Sequence, residues 1–444
     1  MFRHRNWLLL ASAVLFAVVL ASVLFGGAGD RTKPSAGERP PEDEPPPAAG
    51  SAEKPLRMTV AMQPKEFQLL QQLKDQYESA HPGVVVRLEN VPERTAYAKL
   101  KKAAQVGDAP DVMLLDNDWV SEFAALGYLA PVDSMLTADL QARQMEQALA
   151  QVKWNGYLWG VPKDVDVYVI VYNAKKLNEW GGEKPPASTE DALALHRQNH
   201  KPEEGQYGIA FDPQKGRSFA ALVRMVAGSK TASKTMPVKL NDASVLKALE
   251  TFLYANPDGV KDEPRPLGKS FPPESASWKP WELLAQGRLT GYVTTLSDWK
   301  QNGSPAVTMA ALPLPKGEEP WKGAWLSGRS FAISARSEAG KESYELIREL
   351  VSAGSAMKFW SAAGNLPAQA GVYASGISAD DAVKRAAAFI DQDDASPAFP
   401  QRAKMTASLE AQLETLWRGD VALKAFAERT EAEWEAIRPT AKGN

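Results

Sequence analysis

The 444-residue chain contains no cysteine. That removes disulfides, thiolate metal sites, cysteine nucleophiles and a lipid-modified N-terminal cysteine together. Histidine is nearly as scarce: His4, His81, His196 and His200 are the complete set, so few general bases are on offer near neutrality. The formal net charge is only −3, which provides no basic field to collect phosphates, and nucleic acid is not an expected partner. No repeat of solenoid period is present. Gly26, Gly27 and Gly29 make no phosphate loop, because no Lys-Ser/Thr follows them.

Hydrophobic content of 44% and charged content of 24% are ordinary for a globular protein, and the length calls for two or three α/β-sized units. Tryptophan is generous, with 13 residues, and its flat amphipathic ring suits both core packing and stacking on sugar faces. Arg3, His4 and Arg5 precede an uninterrupted apolar run over 7–25, long enough to span a bilayer as a helix with the N-terminus inside. Signal peptides carry a shorter apolar region of about 7–15 residues. The small residues Gly26, Gly27 and Ala28 nevertheless permit cleavage after Ala28. Segment 1–29 therefore reads as a membrane anchor or a cleaved signal. Segment 30–55, with Pro45, Pro46 and Pro47 beside Glu42, Asp43 and Glu44, reads as a disordered tether.

The pattern beyond the tether alternates. A strand over 56–62 leads to a helix over 65–80, with Phe67, Leu70, Leu73 and Tyr77 at helical spacing. A Pro82-Gly83 turn, a β-branched strand over 84–88, a helix over 97–104 and a strand over 111–115 follow. That order predicts a parallel sheet, and the polar segment Asp116-Asn117-Asp118 sits at a carboxyl end, where open α/β sheets hold ligands. Further strands are expected over 166–172, 207–211, 289–294 and 325–334, and helices over 189–198, 219–227, 342–351, 406–417 and 421–437.

Several motifs then resemble, in order, family 1 extracellular solute-binding proteins of the maltose-binding type. They are His81-Pro82-Gly83-Val84-Val85-Val86, Gly107-Asp108-Ala109-Pro110-Asp111-Val112, and Trp119-Val120-Ser121-Glu122-Phe123-Ala124 before Gly127-Tyr128-Leu129. Trp159-Gly160-Val161-Pro162 with Asp166, Val171-Tyr172-Asn173, Gly205-Gln206-Tyr207-Gly208-Ile209-Ala210, Trp325-Leu326-Ser327-Gly328-Arg329-Ser330-Phe331 and Gly364-Asn365-Leu366-Pro367 continue the series. The resemblance runs over about 56–435. It departs at 293–300, which keeps Trp299 but lacks the Gly-Pro of relatives, and in having no cysteine after the apolar run.

The resemblance implies an α/β, two-lobe periplasmic-binding-protein type II fold, with an interlobe cleft and several hinge crossings. The first lobe is expected to hold 56–164 plus 318–366, and the second 165–317 plus 367–444. It implies a carbohydrate ligand, an ABC permease as membrane partner, a monomer at the cell surface, and no cofactor. A sugar site needs carboxylates, amides or arginine around an aromatic floor. By motif position the ligand-binding candidates are Asp116, Asp118, Trp119, Asp166, Trp299, Trp325, Ser327 and Arg329. Each has a plainer reading: Asp118 as a helix cap, Asp166 as a solvated strand residue, Arg329 as half of a structural ion pair across the hinge, and the tryptophans as core. Trp278 and Trp281 stand in a Pro-rich loop over 271–280 that is a candidate rim.

Two other chemistries are weighed. Asp116 and Asp118 look like a glycosidase acid pair, but two acids near a turn are common and the resemblance opposes catalysis, so no enzyme is expected. His196 and His200 have the i, i+4 spacing of a zinc clamp. No Glu follows His196 and no third ligand is apparent, so both are expected on an exposed polar helix end. A membrane-tethered sensor of the same fold is the alternative role, favoured by an uncleaved anchor. A polyamine is the alternative ligand, suited to Asp116, Asp118 and Asp166.

Overall fold

A computed structural model describes residues 54–136, 138–181, 184–231, 236–254, 279–313, 315–317, 326–375 and 398–438. The apolar N-terminal run, the tether, Trp278 and Trp325 lie outside them. Among the described residues no helix is long and apolar enough to cross a membrane.

The first three strands are β1 (Leu56–Val60), β2 (Val86–Asn90) and β3 (Val112–Asp116), with β1 central and parallel to both neighbours. Between them run the helices Pro64–Ala80 and Glu93–Val106. The first begins on a proline, whose missing N–H costs nothing there, and it buries Leu70, Leu73 and Tyr77 along one face. The second ends at Gly107, whose φ of 81° is a left-handed turn that side chains resist. A small hairpin of β4 (Lys153–Trp154) and β5 (Tyr157–Leu158) precedes the longest strand, β6 (Val161–Asn173).

Thirteen residues of β6 reach about 43 Å at 3.3 Å per residue, enough to serve two cores. Its first half pairs with β10 (Leu326–Ile333) and with the short β11 (Leu366–Pro367). Its second half pairs with β8 (Leu289–Thr295) and β9 (Val307–Ala311), and β7 (Tyr207–Phe211) lies parallel to β8. The main sheet therefore runs β2-β1-β3-β10-β6-β8-β7, with β9 and β11 also on β6. The parallel pattern expected from the strand-helix alternation holds for β1 to β3. β10 is antiparallel to both β3 and β6, because it returns from the far side.

Two hydrophobic cores flank the crossings. The first gathers Met58, Leu70, Leu100, Leu114, Val120, Phe123, Phe331 and Ile347. The second gathers Ile170, Tyr172, Phe211, Phe219, Phe252, Val293, Leu413, Phe426 and Trp434. Met145, Ala148, Leu326 and Trp360 also belong to the second. Helices Arg402–Arg418 and Leu423–Ile437 pack together on it, and the fully buried Trp434 donates its indole N–H to Met405 O at 2.8 Å.

At the crossing, four charges meet inside the protein. Lys163 Nζ lies 2.7 Å from both Glu66 Oε1 and Asp164 Oδ2. The Arg329 guanidinium donates to Glu66 Oε1 and Oε2 at 2.7 and 3.1 Å, to Asp164 Oδ1 and Oδ2 at 3.2 and 2.5 Å, and to Ala61 O at 3.3 Å. All five of its N–H groups are thereby engaged. Burial alone would raise the carboxyl pKa of Glu66 and Asp164, but the charges of Arg329 and Lys163 outweigh it and hold both below their usual range. β10 approaches β6 closely here: a Cβ on Gly328 would sit 2.5 Å from Asp164 O.

Removing one member of a buried charge network leaves the others uncompensated. Lys163→Met is expected to lower unfolding stability by about 3–5 kcal/mol, measured by urea denaturation. A change under about 1 kcal/mol, the range of an exposed pair, would show that the network does not hold the crossing.

Candidate functional site: the face between the two cores

The carboxyl ends of β3, β7 and β8 each run into a helix: Asn117–Ala125, Gly216–Ala227 and Leu296–Asn302. Asp116, the last residue of β3, caps the first of these by accepting from Asp118 N at 2.9 Å. The capping role considered for Asp118 thus falls to Asp116. Asn117 is buried, donating to Gln151 Oε1 at 2.7 Å and accepting from Ser330 Oγ at 2.6 Å.

Asp116 and Asp118 stand on the first core's side, yet their partner comes from the second. Arg217, in the first turn after β7, donates to Asp116 through Nη1 and Nη2 at 2.7 and 2.5 Å. It donates to Asp118 Oδ2 through Nε and Nη2 at 3.1 and 2.6 Å. Arg402, at the start of the helix Arg402–Arg418, brings Nε within 3.1 Å of Asp118 Oδ1. The four side chains are only 9–22% exposed. Burial alone would raise the Asp118 carboxyl, but Arg217 and Arg402 outweigh it and hold it below the usual range. A carboxylate so held is a poor proton donor at neutral pH, which speaks against a glycosidase acid at this position.

Asp166 is the one residue of β6 that is not buried, and it stands opposite Ser327 of β10 in the ladder. It accepts from Ser297 N at 3.2 Å and from Ser297 Oγ, and Ser327 Oγ donates to its backbone oxygen at 3.4 Å. Burial pushes its carboxyl up to about 6, against the opposing hydrogen bonds of Ser297 and Thr295.

The remaining candidates separate from this group. Arg329 belongs to the crossing network, fully engaged as described. Trp119 is half-buried against the first core and meets Tyr97 edge-on at 5.4 Å. Trp299 is half-buried against the second core. Its ring folds back over the end of its own helix, so that a Cβ on Gly303 would meet its Nε1 at 2.9 Å. Trp281, expected in a loop, lies instead in the helix Pro280–Ala285; it is half-buried, donates to Asp298 Oδ2 at 3.2 Å and meets Tyr292 edge-on at 6.1 Å.

Sequence reasoning missed Arg217, Arg402, Asp212, Tyr168 and Tyr292. Asp212 follows β7 directly, caps its own turn by accepting from Gln214 N at 3.0 Å, and has its carboxyl raised by burial. Tyr168 and Tyr292 lie close enough for the Asp212 charge to act on both hydroxyls. The strand-end rule that singled out Asp116 and Asp118 applies equally to Asp212 and was the available signal. The histidine expectation also needs correction: His196 is buried, not on an exposed helix end. Its ring stacks on Phe252 at 4.5 Å and on His200 at 4.6 Å, its Nδ1 accepts from Ile209 N at 2.9 Å, and burial pushes its pKa down to about 3. Among the described residues no group of three His, Asp or Glu could hold a metal ion.

Two cores joined by shared strands, with polar strand ends from both meeting between them, define a two-lobe ligand-binding protein. The chain belongs to the bacterial extracellular solute-binding proteins, whose family model matches residues 72–389. It stands among binding proteins rather than enzymes, and its place is extracytoplasmic. A maltotriose-binding protein of Pyrococcus abyssi is 26% identical over 191 residues, 43% of this chain, and the match spans only 40% of that relative's length. The GacH receptor of Streptomyces glaucescens, solved unliganded and with acarbose, superposes with a TM-score of 0.71 at 21% identity, covering 87% of this chain and 99% of that one. The maltose/maltodextrin-binding domain MalE of Bdellovibrio bacteriovorus, bound to maltotriose, also gives 0.71, at 19% identity over 86% of this chain and 99% of that one.

The raised Asp166 carboxyl has a signed consequence. An acid whose pKa rises on folding binds its proton more tightly in the folded state, so stability falls as pH climbs from about 4 to about 6 and is level outside that window. The contribution should be about 1–2 kcal/mol once partial solvent screening is allowed for. Asp166→Asn should remove this slope from thermal melts taken across the window. Identical pH profiles for the two proteins would show that Asp166 does not titrate there.

Proposed function

We propose that the chain binds a neutral oligosaccharide between its lobes and hands it to an ABC permease. The observation that carries this reading is the neutralisation of the acids at the end of β3 by arginines of the second core. Asp116 and Asp118 are matched by Arg217 and Arg402, beside Asp212 and the hydroxyls of Tyr168 and Tyr292. A polyamine would want acids still uncompensated, and an anion would want spare guanidinium. Sugar hydroxyls both donate and accept, and suit a surface of paired charges and amphipathic rings. The maltotriose and acarbose named for the relatives point the same way.

In this reading Asp116, Asp118, Asp166, Ser327 and Asp212 offer polar contacts, and Trp119, Trp281, Trp299 and Trp325 remain the ring candidates. Arg329 positions the crossing. The lobes divide as 56–164 plus 318–366 and 165–317 plus 367–444, with Met145, Ala148, Leu326 and Trp360 packing into the second core across that division. Residues 1–29 hold the chain to the membrane and 30–55 lift it clear. N-terminal sequencing tests the tether, since a start at Gly29 means the anchor is cut.

Maltotriose is the first ligand to try. At one hundred times its Kd it should stabilise the protein by about 2.7 kcal/mol, read as a raised melting temperature. Asp212→Asn should weaken binding by roughly 1–3 kcal/mol in calorimetry, the scale of a hydrogen bond to a charged group. No neutral oligosaccharide raising the melting point, while another solute class does, would overturn the reading.

A further inference from the structure

Arg217 makes, from inside the chain, the contact that a cationic solute would make from outside. Its planar fork spans two carboxylates two residues apart, with four hydrogen bonds of 2.5–3.1 Å. Bidentate pairing of this kind is the strongest way a carboxylate takes a guanidinium. The contact also joins surfaces belonging to different cores, since Arg217 follows β7 and the acids end β3. Asp116, Asp118, Arg217 and Arg402 sum to zero charge. Further charged groups lie nearby: Gly216 N donates to Glu410 Oε1 at 3.1 Å, Arg217, Asp212 and Lys215 act on the Glu410 carboxyl, and Arg217, Asp166, Asp212 and Asp116 act on the Tyr168 hydroxyl.

We propose that Arg217 is a specificity-determining residue, a resident cation that fills the Asp116–Asp118 pair from the opposite lobe and thereby shuts the cleft to cationic solutes. The proposal rests on the binding reading above only in placing this pair where the solute enters. Without Arg217 the group carries one net negative charge, Arg402 stands against Asp118 and not Asp116, and the bidentate place is vacant. A partly buried, uncompensated carboxylate draws in any cation able to reach it. With Arg217 present, a polyamine must first displace a tethered guanidinium whose effective concentration at the site is high.

Spermidine is the probe, with calorimetry on wild type, Arg217→Met and Arg217→Lys after each is shown to melt cooperatively. Arg217→Met should bind spermidine at least about tenfold more tightly than wild type, whereas Arg217→Lys, which keeps the charge, should not. Should Arg217→Met fail to fold, Arg217→Gln removes the charge while keeping an amide donor, and the same gain is expected of it. Equal spermidine affinity in wild type and the neutral variants overturns the proposal, and so does an equal gain in Arg217→Lys. Maltotriose binding by wild type is scored separately, so a failed sugar reading and a failed Arg217 role remain distinguishable.

Discussion

Charge buried at a crossing point is the constraint on which this architecture turns. Glu66, Lys163, Asp164 and Arg329 come from a helix and two strands, and three of them are almost fully withdrawn from water. Taking four ions out of water is tolerable only because each finds opposite charge at hydrogen-bonding distance. That requirement admits little latitude: β10 must lie against β6 with Gly328 at the close approach, and the helix that starts at Pro64 must bring Glu66 over the same spot. The network therefore pins the place where the chain passes from one core to the other.

With that point pinned, the strand ends acquire their direction. β6 enters one core and leaves through the other without interruption, so the sheets on either side are held in one continuous ladder. β3 ends toward the second core, and β7 toward the first. The groups at those ends would repel or be stranded if the lobes stood alone: two acids on one side, two arginines on the other. Meeting across the gap they neutralise each other, which leaves that part of the surface polar without net charge. Such a surface suits a solute rich in hydroxyls, whose recognition depends on direction and count of hydrogen bonds more than on charge.

Much of the fold was legible along the chain because it depends on neighbours. β7 spans the 207–211 expected of it, the β-branched strand expected over 84–88 lies two residues later at Val86–Asn90, and the helix bearing Leu70, Leu73 and Tyr77 follows from apolar spacing alone. Strand-end position likewise singled out Asp116 and Asp118, and the family motifs Asp166, which lies within β6. Partners were not legible. Arg329 meets Glu66 across 263 residues, and Arg217 meets Asp116 across 101. Periodicity has no reach over such distances. His196 shows the same limit: its helix looks polar at that end, yet β7 and Phe252 enclose the ring.

What the residues determined by themselves is local and compositional: the exclusion of thiol chemistry, the alternation of strands and helices, and the polar residues that end the strands. Which of those polar residues face a solute, which hold the hinge, and which are matched by an arginine from the other lobe was decided only in three dimensions. The physical reason is that a side chain's charge and hydrogen-bonding capacity belong to its sequence position, whereas its burial and its partner belong to the packing. Trp299 illustrates the difference, since its ring was legible as a stacking candidate, whereas its packing beside Gly303 at the end of its own helix was not.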